Sequence, residues 1–276
     1  GRGGAPVPSQ PPPSPEMGFA QWPDPVRKIG EGTSANPDVD GIVITHGTAS
    51  LEETAYALHL TVKADAPVVM VGSQRPNSAL STDAGFNLVN AIRTAGAPEA
   101  RGMGVLTLLN DEIQSAREVT KTSTVRMQTF RTPDFGCLWH ADGDAISFDR
   151  RPLRRHAPDT EFDIRALDAM PRVDIVYSYS DSDGVAARAF VEAGAAGIVS
   201  AGFAPGSCGP GDAEALAAAA KAGVIVVQCT RAGSGRTFKS TSMKELGFLA
   251  ADKLNQQKAR IHLALAVTRT TDTAEI

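Results

Sequence analysis

Positive charge is in short supply: 27 Lys and Arg stand against 31 Asp and Glu, a formal net charge of −4. That balance argues against a protein that holds nucleic acid or a membrane surface by electrostatics. Cysteine is sparse too. Cys137, Cys208 and Cys229 lie far apart with no C-x-x-C pair, so neither a zinc site nor a disulfide framework is indicated. No apolar run approaches the length of a membrane span. No G-x-G-x-x-G follows a strand in a dinucleotide-binding context, and no Walker lysine motif is present. The five histidines (His46, His59, His140, His156, His262) show no metal-ligand spacing. Small polar or charged metabolites are the partners these absences leave open.

What is present is an Ala-, Gly- and Pro-rich chain of 276 residues, long enough for one large or two modest domains. Gly1 to Pro15 has few core-forming residues and is expected to be disordered. Phe19 to Pro37, broken by Pro23 and Pro25, is expected to hold at best a short irregular helix. From Asp40 the pattern is regular. Ile42-Val43-Ile44-Thr45 reads as a buried strand, a Gly-Thr turn follows, and Leu51 to Leu58 reads as a helix with two acids in its first turn. Pro67 to Ser73 and Gly102 to Asp111 repeat the strand signal, each ending in polar residues, with a helix expected over Phe86 to Thr94. Such alternation is the mark of a parallel sheet covered by helices. Phe130 to Arg151 reads as hairpin-like, and the basic run Arg150-Arg151, Arg154-Arg155-His156 as a solvated linker face at a domain boundary rather than a phosphate site. Beyond it, strands at 173–179, 197–202 and 224–229 and helices at 185–193, 212–222 and 255–268 predict a second, smaller α/β domain with a sheet of about four strands. The fold class is therefore α/β, and the partition is 1–39, 40–152 and 153–276.

In open α/β sheets the carboxyl edge binds ligands, which makes Thr45, Thr48 and Ser50 the first candidates for chemistry. A cap on the following helix by Thr48 or Ser50 explains the same residues about equally well. A hydroxyl nucleophile needs a base, and no histidine is placed as an obvious one. Lys121, the one lysine set among hydroxyls in Arg117-Glu118-Val119-Thr120-Lys121-Thr122-Ser123-Thr124, can serve. An exposed lysine is the plainer alternative.

Gly41-Ile42-Val43-Ile44-Thr45-His46-Gly47-Thr48 with Leu51-Glu52-Glu53-Thr54-Ala55-Tyr56 resembles a signature of the bacterial L-asparaginase/glutaminase-asparaginase family. Pro67 to Gly72 with Arg75-Pro76 and Ser81-Thr82-Asp83, then Asn110-Asp111 with Val119-Thr120-Lys121-Thr122, resemble its next blocks. Gly197 to Gly202 and Gly247-Phe248-Leu249 with Leu254-Asn255 resemble its carboxyl domain, so the likeness runs in order from about Asp40 to Thr268. The resemblance implies hydrolysis of the side-chain amide of L-asparagine by two threonines, with no metal or other cofactor. It implies Thr48 and its lysine partner Lys121 as catalytic residues, with Gly47, Thr48 and Ala49 against the substrate. It also implies a homo-oligomer, a dimer of dimers with the active site at a subunit contact.

Two departures stand out. The family pattern has an Asp after this threonine, which holds the substrate's ammonium, and here the position is Ala49. Losing a charge-assisted contact worth roughly 1.5–3 kcal/mol predicts an affinity loss of roughly ten- to a hundred-fold. Nor does a Thr-Gly-Gly-Thr-Ile type turn, the family's carrier of the other threonine, lie between Gly1 and Asp40. The first βα units of the sheet are therefore expected to be deleted or replaced, leaving an N-terminal domain incomplete at its start. The expected function is an L-asparagine amidohydrolase impaired in this form. The competing one is a non-catalytic remnant that binds a small amide or a sister subunit.

Overall fold

The computed structural model describes residues 5–7, 11–146, 148–167 and 169–276. Along the chain run helix α1 (Pro23–Ala35), strand β1 (Ile42–Thr45), α2 (Leu51–Thr61), β2 (Val68–Val71), α3 (Ala84–Ala95) and β3 (Val105–Leu109). Then come β4 (Glu112–Ser115), β5 (Thr120–Lys121), β6 (Phe130–Arg131) and β7 (Trp139–His140). The second half holds β8 (Val173–Tyr177), α4 (Val185–Glu192), β9 (Gly197–Gly202), α5 (Pro210–Lys221), β10 (Ile225–Thr230), α6 (Thr241–Glu245), β11 (Leu249–Ala250) and α7 (Gln256–Ala266).

Buried, β-branched runs make the central strands. Val68, Val69, Met70 and Val71 are all buried, as a strand covered on both faces requires. The N-terminal sheet has the order β1-β2-β3-β4-β7 and the C-terminal sheet the order β11-β10-β9-β8, all parallel. The molecule is thus α/β with two sheet domains. The N-terminal sheet is mixed rather than parallel throughout, because β4 returns antiparallel on β3 and β7 on β4. The return is made by Asn110-Asp111, which looks in sequence like the polar end of a strand. With Leu109 paired to Glu112 and positive φ at both residues (53° and 62°), it is a two-residue hairpin loop.

The segment before Asp40 departs further from expectation. Residues 1–4 and 8–10 of the tail lie outside the described residues, and Ser14–Glu16 form a short 3₁₀ turn. The stretch expected to be irregular instead forms α1, thirteen residues long. Its prolines do no harm, since Pro23 and Pro25 sit in the first turn, where helix N–H groups have no partner in any case. Trp22, Val26 and Ile29 recur at helical spacing and enter the core with Tyr56, Leu58 and Ile261. The Trp22 indole donates to Thr54 Oγ1 at 3.1 Å.

Helix α7 joins the two domains. Ile261, Leu265 and Ala266 complete the core around α1 and α2, while Ala259, Leu263 and Ala264 pack with Val199, Val227 and Cys229 of the C-terminal sheet. Among the described residues no helix is long and apolar enough to cross a membrane.

Candidate active site

Parallel pairing of β1 with β2 stops at Thr45 and Val71, and the next residues, His46 to Ser50, form the turn into α2. Ser50 holds the N-cap position of α2, yet its hydroxyl makes no cap bond and donates instead to the Ser14 carbonyl. Thr48 makes no cap bond either. Its methyl group lies over Gly72 at the end of β2, where an added Cβ would come within 3.3 Å of it. That contact leaves Oγ1 facing away from the sheet end, and Lys121 Nζ donates to it at 2.9 Å.

Lys121 is brought there by β5, a two-residue strand paired antiparallel with β6. Leu51, Leu109, Val119 and Phe130 form an apolar platform under this strand. Above it, Glu52 does the fixing. Its carboxylate accepts from Lys121 N at 3.1 Å and Thr120 Oγ1 at 3.2 Å, and on its other oxygen from Asn255 Nδ2 at 3.0 Å. Asn255 also donates to Thr120 Oγ1 at 3.3 Å. One buried carboxylate therefore holds the start of α2, the backbone of Lys121 and the residue that caps α7.

Behind this lies Lys258, wholly buried, whose ammonium donates to the carbonyls of Val119 and of Arg117 (3.1 Å to the latter). Burial pushes its pKa down to about 8. The Tyr56 ring lies 5.8 Å from that ammonium, and burial raises the phenol to about 12. Arg117 donates to the Tyr56 hydroxyl at 3.3 Å.

Of the residues singled out from sequence, Thr48 and Lys121 meet directly. Gly47 and Ala49 flank Thr48 on the exposed side of the turn, and an added Cβ at Gly47 would collide with Ser14 Oγ at 2.4 Å. Among the described residues, no hydrogen bond uses the N–H of Gly47, Thr48 or Ala49. Thr45 is exposed and His46 turns its Nδ1 to the Gly47 carbonyl (2.7 Å), with burial lowering its pKa. The polar groups after β2 and β3 are spent on loops: Asp83 accepts from Gln74 N, Arg75 N and Asn87 Nδ2. No three His, Cys, Asp or Glu side chains among the described residues form a metal-sized cluster. Glu52 and Asn255 were missed by reading the sequence, though Glu52 gave a signal. It stands three and four residues before Ala55 and Tyr56, a charge on the buried stripe of its helix.

Residues 7–154 match the N-terminal domain model of asparaginases and residues 172–276 the glutaminase/asparaginase C-terminal domain model. The chain belongs to the asparaginase family. It is 48% identical over 242 residues to L-asparaginase 2 of Bacillus subtilis, covering 88% of this chain and 64% of the relative. Likeness to L-asparaginase 2 of Escherichia coli is 44%, over 86% of this chain and 69% of that one. A glutaminase-asparaginase of Pseudomonas fluorescens is 40% identical, over 91% and 69%. The chain thus spans about two thirds of the length of these curated relatives, and less than that of the Bacillus protein. The crystal structure of a probable cytoplasmic L-asparaginase from Campylobacter jejuni superposes with a TM-score of 0.91 at 41% identity, covering 94% of this chain and 85% of the other. In this asparaginase-family chain, then, the Thr48–Lys121 pair stands at the carboxyl edge of a sheet, where open α/β folds bind their ligands.

Proposed function

We propose that the chain carries an amidohydrolase site in which Thr48 and Lys121 share a proton and Gly47, Thr48 and Ala49 face the substrate, L-asparagine, which is split to aspartate and ammonia. The observation that carries this reading is the 2.9 Å contact between Lys121 Nζ and Thr48 Oγ1. An amine held at a hydroxyl can take its proton as the attacking oxygen forms and return it to the departing ammonia; water then opens the resulting ester, its proton passing through the amine back to the hydroxyl as aspartate leaves. The N–H groups of the turn at 47–49, unused among the described residues, are the donors for the oxyanion. Domains at 40–152 and 153–276, after a segment 1–39, and assembly as a dimer of dimers belong to the same reading. Sedimentation is expected to give a species several times the mass of one chain.

Ala49 weakens this site. A methyl group stands where a carboxylate would hold the substrate ammonium, so ammonia release from L-asparagine is expected to be low. Ala49→Asp should raise kcat/KM by roughly ten- to a hundred-fold, and Thr48→Ala or Lys121→Met should remove what activity there is. Unchanged ammonia release in either of the latter variants overturns the assignment. Turnover at an ordinary enzyme rate without Ala49→Asp overturns the impairment.

Ala49 also favours a second reading, a non-catalytic member that binds a small amide or a sister subunit. In that case asparagine raises the melting temperature while no ammonia appears even with Asp at position 49.

A further inference from the structure

The basic run of the connecting segment does not sit on a solvated face alone. Arg150, Arg151 and Arg154 reach a cavity of about 280 Å³ between the two domains, and Arg117 from the N-terminal domain and Lys253 from the C-terminal domain line it with them. Three carboxylates share the walls. Asp252 is taken by Arg154 (3.0 Å) and Arg236 (2.6 Å), and Asp134 accepts from the N–H of Gly235 at 3.1 Å. Glu118 stands 3.7 Å from Arg150. Five cations against three carboxylates leave the lining with a net charge of plus two, before the Lys258 ammonium at its floor is added.

Among the described residues Arg117, Arg151 and Lys253 have no carboxylate within ion-pair distance, although Glu118 acts on Arg117 and Lys253 through space. Arg117 spends one N–H on Tyr56, and Lys253 rests 4.3 Å from the centre of the Phe135 ring. Guanidinium groups with free edges, gathered in a partly enclosed space of small-molecule size, favour a ligand with paired anionic oxygens. Thr48, Ala49 and Lys121 do not line this space. A zwitterionic amide would leave its cations unmatched.

We propose that the interdomain cavity is a binding site for a small dianion, either a dicarboxylate or a phosphate group, held by Arg151 and Lys253 from opposite domains with Arg117 between them. Such a ligand ties the two halves together through charge, beside the apolar tie made by α7.

Titration calorimetry on the full chain at low ionic strength, with succinate in one arm and inorganic phosphate in the other, tests this. Saturable binding in at least one arm is expected, and the arm that responds identifies the class. The Arg151→Ala/Lys253→Ala double variant, altered only at exposed side chains, should bind roughly tenfold more weakly or worse. A melting curve without ligand checks that it folds, and Arg151→Gln/Lys253→Gln replaces it if it does not. No saturable heat in either arm overturns the proposal. So does equal binding by the double variant, which would put the anion elsewhere, at Thr48 and Lys121 for instance. Equal binding of acetate or chloride at the same ionic strength overturns it as well.

Discussion

Glu52 shows how one side chain governs the geometry around Lys121. Three donors, Lys121 N, Thr120 Oγ1 and Asn255 Nδ2, converge on its two oxygens. Glu52→Gln turns one acceptor into a donor facing a donor, and the expected cost is about 1–3 kcal/mol in chemical denaturation. Buried imidazoles govern the response to acid. Burial lowers the pKa of His59 to about 3 and of His262 to about 4, from an ordinary value near 6.5. The unfolded chain takes up these protons first, so the stabilisation is complete above pH 6.5 and is lost as pH falls toward the folded values. Near pH 5 each histidine should contribute a slope of roughly 1.4 kcal/mol per pH unit, measurable as proton uptake on unfolding. Thr48 and Lys121, which the structure brings to 2.9 Å, were singled out by neighbouring hydroxyls together with the family resemblance, the residues alone leaving a helix cap and an exposed lysine open. Glu52 was passed over despite its place on the buried stripe, since an acid in the first turn of a helix is already accounted for by the dipole.

At the scale of elements, what was legible is the set of strands buried on both faces, and what was not is any element whose reason lies in a turn or a partner. The Asn110-Asp111 loop is an example: its two left-handed residues make β3 and β4 a hairpin. Asn110→Val, which brings a β-branched side chain to φ 53°, should lose about 1–2 kcal/mol. Helix α1 was hidden by its own prolines, and its weight is testable through Trp22→Ala, expected to cost about 3–5 kcal/mol. Strand β1 carries a hazard. Among the described residues it lies at the sheet's edge, and its Ile42, Val43 and Ile44 are only half-buried. The N–H groups of Ile42 and His46 point to β2, so by alternation that of Val43 faces the open side. Light scattering should therefore grow with protein concentration. Val43→Pro, which removes an N–H that β2 does not use, should reduce it.

On the level of the whole molecule, a helix near 255–268 was legible in the sequence, but not what it packs against. Helix α7 belongs to both cores, and it places Asn255 and Lys258 beside the segment that carries Lys121. The two domains should accordingly melt in one transition, with Leu263→Ala lowering the whole of it by about 2–5 kcal/mol rather than splitting it. Arg154 and Arg155, the latter paired with Glu161 at the surface, stand exposed on the connection between the domains. Trypsin should nick the chain there first. The fragment released at the front would still have its hydrophobic hollow filled by a helix encoded at the far end, so the nicked material should elute as one particle. Each half expressed by itself should be insoluble, and mixing the two during refolding should restore the intact shape.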